Sequence, residues 1–281
     1  MIHYMPRDDD MDYTVLGLHV LESYGLDFTS YNVADTWLNR LPYHLVYTAE
    51  RAAYRNLVNN LWPPESATHH NPWREWIGAQ IRADSWGYAA PGWPEKAAEL
   101  AFRDAAVSHV KNGIYGEMFV AAMLAASFVT SDVEQVIKTG LSEIPRDCRL
   151  AEAVRDTVEW SKELTDWEQT WAKINEKYGH YHVVHTINNA ALVVMALMSA
   201  QRDYETSIVL AVRGGWDTDC NGATAGSVCG LMLGAAALPD KWVGVLNDRL
   251  ISAIREFNEC RISDLARRSH EIAKKVIADA T

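Results

Sequence analysis

The chain has 281 residues and a mass of 31.5 kDa, with 48% hydrophobic and 22% charged residues, a composition that can bury a core against chain entropy. Lys plus Arg is 26 against 37 Asp plus Glu, so the formal charge is −11 and the pI about 5.4. That balance excludes nucleic acid as an electrostatic partner and argues against docking on an anionic membrane; an anionic ligand would need something like a bound cation to attract it.

The elements follow a helical period in chain order. Apolar residues are dense over Val15–Leu21, and Gly25 is placed to stop that helix. Asn32 is expected to cap a helix through Leu41, with Pro42 following, and 46–60 reads as a helix ended before Pro63 and Pro64. Residues 61–93 crowd tryptophans, prolines and glycines together, with one helix expected at Trp73–Ile81. Long irregular segments in compact domains are often functional. Pro94 fits the first turn of a helix reaching Lys111. Further helices are expected near 114–128, 131–140, 149–162, 165–177, 184–200, 205–212, 221–236, 239–257 and 262–279. No series of period-2 strands, fixed-period repeat or low-complexity linker is visible, so the expected fold class is all-α in one domain, 1–281.

Four cysteines (Cys148, Cys220, Cys229 and Cys260) form no Cys-x-x-Cys pair, so neither a zinc ribbon nor a disulfide framework is suggested. A reducing, cytoplasmic setting is the expectation, and the acidic N-terminus has no apolar core of a signal peptide. Residues 178–201 and 220–239 are poor in charge, but histidines, asparagines and glycines make them buried helices rather than membrane spans.

The most informative stretch is Arg213–Leu238. Gly222, Gly226, Gly230 and Gly234 recur every four residues, which sets them on one ridge of a helix. Each costs roughly 1 kcal/mol against alanine, so close approach of another backbone is the expected compensation. Just upstream lie Gly214, Gly215, Trp216, Asp217, Thr218 and Asp219. One reading is an N-cap, with Asp219 or Asn221 binding free N–H groups. The other is a hard cation held by two aspartates at i, i+2. A second acidic cluster, Asp8, Asp9, Asp10 and Asp12, also precedes an apolar helix. Alone it reads as a solvated start that favours the helix dipole. If the two loops converge, five carboxylates (Asp8, Asp9, Asp10, Asp217 and Asp219) share one site, and bound divalent cations make that tolerable. Oxygen ligands point to Mg2+, Mn2+ or Ca2+ rather than zinc.

With both motifs in hand, the sequence resembles the ADP-ribosylglycohydrolase family. Asp8-Asp9-Asp10-Met11 is similar to that family's Thr/Ser-Asp-Asp-Thr motif, with Tyr13 at the following apolar position. Gly214-Gly215-Trp216-Asp217-Thr218-Asp219-Cys220 resembles Gly-Gly-Asp-x-Asp-Thr, with Trp216 inserted. Ser108-His109 and Asn112–Gly116 resemble its Thr-His element and substrate-lining helix, and Arg82–Gly87 lies where the family has its glycine-rich loop around the diphosphate. Two residues depart from the pattern: Asp8 stands for Thr or Ser, and Cys220 for Thr. The family's upstream glycine-rich helix and acid have no counterpart in the seven residues before Asp8, so the expectation is a domain without that segment, and no residue is assigned that acid's role.

The resemblance implies a compact orthogonal helical bundle and cleavage of the bond between the anomeric carbon of ADP-ribose and an acceptor, a protein side chain or small molecule. Two Mg2+ ions, or Mn2+, would be held by Asp8, Asp9, Asp10, Asp217 and Asp219, with Asp9 or Asp10 as general base. Substrate contacts are expected from Asp84, Ser85, Trp86, Gly87, His109, Gly113 and Tyr115. For His109 a satisfied core histidine is an equal reading, and for the aromatic residues a core role. Two alternatives stand beside the hydrolase: a non-catalytic ADP-ribose-binding or structural member of the fold, and a dinuclear phosphoester hydrolase.

Overall fold

The computed structural model describes residues 2–280. It is built almost wholly of helices: α1 (Asp9–Tyr24), α2 (Ser30–Arg40), α3 (Thr48–Val58), α4 (Glu65–Thr68), α5 (Asp84–Ala89), α6 (Pro94–Ala105), α7 (Asn112–Ser127) and α8 (Val133–Ser142) form the first half. The second half holds α9 (Arg149–Glu163), α10 (Trp167–Tyr178), α11 (Thr186–Ala200), α12 (Tyr204–Arg213), α13 (Thr218–Leu233), α14 (Asp240–Val243) and α15 (Ile262–Ala280). Before α15, β1 (Arg249–Ile251) and β2 (Glu259–Arg261) pair antiparallel, Leu250 opposite Cys260. The all-α expectation holds, with this hairpin as its one exception among the described residues.

Two helices are apolar all round and form the centre. In α7, residues Phe119–Ala126 are all buried, and in α11 so are Thr186–Leu197. A helix without a polar face has to be surrounded. Around α7 pack α5, α6 and α8; around α11 pack α9, α10, α12 and α13. The alanines let these axes come close, and the amphipathic α8, α9 and α15 cover the outside. No helix among the described residues is long and apolar enough to cross a membrane.

Several boundaries differ from expectation, each for a local reason. Thr29, not Asn32, caps α2; Asn32 sits at the third position and closes a capping box back to the Thr29 backbone N–H at 2.8 Å. Trp73–Ile81 is no helix: Ile77 N–H donates to Val184 O at 2.9 Å and Trp76 bridges to His185, so this stretch lies against the start of α11. The helix from Pro94 ends at Ala105, well before Lys111, which has φ +48. The helix expected over 239–257 gives way after Val243 to one 3-10 turn, Gly244–Leu246, which ends where Asn247 and Asp248 both adopt positive φ, +50 and +55. The chain then turns into β1.

Three of the four ridge glycines do face one neighbouring helix, but side chains rather than another backbone meet them. A Cβ would lie 3.1 Å from the Val212 side chain at Gly222, which is tight, but 3.4 Å from Ile208 at Gly226 and 3.5 Å from Tyr204 at Gly230, ordinary contact distances, so side chains of α12 cover this ridge of α13. Gly234 instead ends α13, with φ +76.

Candidate metal centre and its surroundings

The first acidic loop is held from both sides. Met5 pairs with β1, its N–H donating to Arg249 O at 2.8 Å and its carbonyl accepting from Ile251 N–H at 3.0 Å. Asp8 then caps α1, its Oδ1 accepting from Met11 N–H at 2.8 Å. Asp12 is buried and acts as a clamp: it accepts from Arg7 Nε and from Ala253 N–H, each at 2.7 Å. On the first turn of α1, Asp9 is half-buried and Asp10 is buried.

The second loop is set by the junction of α12 and α13. Gly215 and Trp216 both adopt positive φ, +81 and +56, which swings the chain back on itself. Trp171 Nε1 donates to Gly214 O at 2.8 Å. Asn189, buried on α11, accepts from Asp217 N–H at 3.1 Å and from Asn221 Nδ2 at 2.8 Å. Asp217 stands at the N-cap of α13, yet its side chain makes no capping hydrogen bond, unlike that of Asp8. Neither Asp219 nor Asn221 takes the capping role that one reading assigned to them: both lie inside α13.

The two loops meet. Ligand atoms of Asp10, Asp219 and Cys220 lie within 4.8 Å of one another, close enough for one ion to touch all three. Cys220 Sγ is 3.7 Å from Asp10 Oδ2. Asp10 is only 7% exposed, and burial, then the neighbouring Asp8, Asp9, Asp219 and Asp217, push its carboxyl well above the usual carboxylate range. Burial, with the nearby Asp219 and Asp9, also lifts Asp217 to about 6. Asp8 and Asp9 rise for the same reasons, burial first. Asp8, Asp9, Asp10 and Asp217, four carboxylates that resist ionisation, stand beside Asp219 and a thiol, a donor set suited to a divalent cation, whose charge removes the repulsion.

Of the middle residues, Ser85 reaches α1 and Asp84 reaches α13. Asp84 is held by Ser227 Oγ at 2.5 Å and Tyr88 OH at 2.7 Å, tying α5 to α13. Ser85 Oγ donates to Thr14 O at 2.7 Å. Trp86, 1% exposed, stacks on Phe28 and donates Nε1–H to Glu117 at 2.7 Å. Gly87 lies against Leu124 and the Ala121 carbonyl. In this structure the polar atoms of Asp84, Ser85 and Trp86 are thus committed to the protein. His109 is in the turn between α6 and α7, not in a helix; it is 1% exposed, with Nδ1 2.8 Å from Ser108 Oγ. Its Nε2 has no hydrogen-bond partner among the described residues, and burial and Arg82 hold the ring neutral. Gly113 is covered by the protein itself: a Cβ there would lie 2.6 Å from Arg74 O and 2.9 Å from the His109 ring. Tyr115 is half-buried on α7.

Sequence reasoning missed a buried ionic cluster under the first acidic loop. Arg82 donates Nε–H to Asp104 at 2.5 Å and Nη1–H to Glu50 and Ser108, each at 3.0 Å, and Glu117 lies 3.6 Å from Nη2. Its guanidinium also faces the Tyr13 and Trp37 rings at 5.4 and 5.1 Å. Burial lifts Glu50 to about 7 despite Arg82. A signal existed in Glu117, a lone acid in an otherwise apolar helix.

A family model described as ADP-ribosylglycohydrolase matches residues 6–276. A curated relative from Archaeoglobus fulgidus, described only as an uncharacterized protein, is 29% identical over 189 residues, covering 65% of this chain and 53% of the relative, so the chain matches about half of that protein's length. Among solved structures, one described as an ADP-ribosylglycohydrolase-related protein complex has a TM-score of 0.65 at 17% identity, covering 95% of this chain and 81% of that one. That likeness concerns the fold.

Proposed function

Because this chain belongs to the ADP-ribosylglycohydrolase family, we propose that it hydrolyses the glycosidic bond between ADP-ribose and an acceptor, with Mg2+ or Mn2+ held by Asp8, Asp9, Asp10, Asp217 and Asp219. The observation that carries the reading is the meeting of two acidic loops whose Asp10 and Cys220 are 210 positions apart in sequence. The bound cation would supply the positive charge that a chain of net charge −11 lacks for an anionic diphosphate.

The chain's own residues supply the rest. Asp9 is half-buried with no hydrogen bond from another side chain among the described residues, and its carboxyl is lifted by burial, both of which suit a base that takes a proton from water. Asp10, deeper, is the second candidate for that proton. Water oxygen bonds to the anomeric carbon as the bond to the acceptor breaks, the acceptor leaves with the electron pair and takes up a proton, and the base returns the water's proton to solvent. Tyr115, half-buried on α7, is the one aromatic residue of the expected set that is partly exposed, and would meet ribose or adenine with that part, while Gly113 would serve indirectly by letting the Arg74 carbonyl and the His109 ring pack on α7. Asp84, Ser85, Trp86, Gly87 and His109 would serve the substrate by fixing the floor of the site.

The test is release of free ADP-ribose from ADP-ribosyl-arginine, ADP-ribosyl-serine and O-acetyl-ADP-ribose, with divalent cation and with chelator. Release that requires the cation and is lost in Asp217→Ala and Asp219→Ala is the expected result. Full activity in both variants, or phosphate release from nucleotides in place of ADP-ribose release, would overturn the reading.

A further inference from the structure

Cys220 occupies the one position of the acidic centre where the chemistry of the donor changes from hard to soft. Its thiol is 6% exposed, and its sulfur shares a 4.8 Å cluster with oxygens of Asp10 and Asp219. The weak S–H contact at 3.7 Å is the one side-chain hydrogen bond that the Asp10 carboxylate receives among the described residues. A carboxylate 93% buried beside other carboxylates, with only a thiol for company, is poorly satisfied without an ion. Cys148, Cys229 and Cys260 are not part of the cluster.

We propose that Cys220 is itself a metal ligand, and that it tilts this centre away from Mg2+ toward more thiophilic divalent cations such as Fe2+, Zn2+ or Cd2+. The inference rests on the proposed function only in taking the acidic loops as a cation site. An all-oxygen site suits Mg2+, which is small, hard and reluctant to shed water; a sulfur donor suits borderline and soft ions instead. Coordination replaces the S–H bond by a sulfur–metal bond, and the proton passes to solvent. Each bound thiophilic ion therefore releases one proton that Mg2+ binding does not.

The experiment titrates the metal-free protein with Cd2+, following the ultraviolet sulfur-to-cadmium charge-transfer band, and measures Mg2+ and Cd2+ affinities by calorimetry. Cys148→Ser/Cys260→Ser serves as background, since both of those thiols are partly exposed. The expected result is one charge-transfer equivalent, lost in Cys220→Thr, with the Cd2+ to Mg2+ affinity ratio falling at least tenfold in that variant. An unchanged band and ratio in Cys220→Thr would overturn the inference while leaving the cation site intact. If Asp219→Asn and the parent bind every divalent ion equally, the site reading fails as well. Should Cys220→Thr not fold, X-ray absorption of the Zn2+ complex of the background protein decides: one sulfur among oxygen neighbours supports the inference, and an all-oxygen shell overturns it.

Discussion

The amide oxygen of Asn189 accepts a hydrogen bond from the backbone N–H of Asp217 at 3.1 Å, so the central helix α11 dictates where the second acidic loop stands. The same oxygen takes Asn221 Nδ2 at 2.8 Å, and Asn189 donates Nδ2–H to Val183 O and His185 O at 2.9 and 2.8 Å. One buried side chain thus joins the start of α11 to the start of α13. Asn189→Ala leaves several buried polar groups without partners, at about 1–3 kcal/mol. The expected outcome is a lower urea midpoint and a divalent-cation affinity reduced roughly 10–100-fold, as for other residues that orient metal ligands. Calorimetric titration of the variant checks the second effect; unchanged affinity would show that the loop holds its shape alone.

The acidic centre sets stability against ion binding. Asp10 is buried among like charges, so replacing it by asparagine removes a repulsion from the ion-free protein. In chelator, Asp10→Asn should be more stable than the parent, by on the order of 1–3 kcal/mol. With saturating divalent cation the order should reverse, because the parent gains binding free energy and the variant does not. Thermal melts of both proteins with and without chelator test this crossing. Asp217→Ala should keep the fold and lose turnover by more than about 100-fold.

Much of this centre was legible in the sequence because its acidic residues come in two short runs, each at the start of a helix. The ridge of Gly222, Gly226 and Gly230 was legible for the same reason: a period of four on one helix needs no knowledge of the partner. The Arg82 cluster was not, since Glu50, Asp104 and Glu117 come from three helices and no spacing links them. The hairpin escaped because strands of three residues cannot display a period of two. His109 was misplaced in a helix because the apolar pattern of α6 continues past Ala105 into Val107 and Val110, while the backbone turns.

Glu50 and Asp217 predict how stability responds to pH. Burial lifts Glu50 from 4.5 to about 7 and Asp217 from 3.8 to about 6. Both bind a proton more tightly folded than unfolded, so the folded state holds more protons across this window. Their stabilising contribution is complete below about pH 4 and is lost as pH rises through 6 and then 7. In chelator, urea midpoints should fall between pH 4.5 and 7.5. Divalent cation should remove the Asp217 part of the slope, and Glu50→Gln the part near pH 7. A slope unchanged by either would mean that other groups govern it.

Arg82 is the sharpest test of how the interior is balanced. One buried guanidinium faces three buried carboxylates, Glu50, Asp104 and Glu117, so protons must supply the missing positive charge. Arg82→Met fills similar volume but strands those carboxylates, which for a buried ion cluster costs about 3–5 kcal/mol. That is a large share of the roughly 5–15 kcal/mol holding a typical domain together. Arg82→Lys should recover little, because one ammonium cannot reach Asp104, Glu50 and Ser108 with the fork that Arg82 uses. Adding Asp104→Asn and Glu50→Gln to Arg82→Met should restore part of the loss, since the stranded charges are then gone. Urea denaturation of the four proteins measures this coupling. If Arg82→Met loses less than about 1 kcal/mol, the carboxylates are already neutral in the parent and the guanidinium is not what holds them.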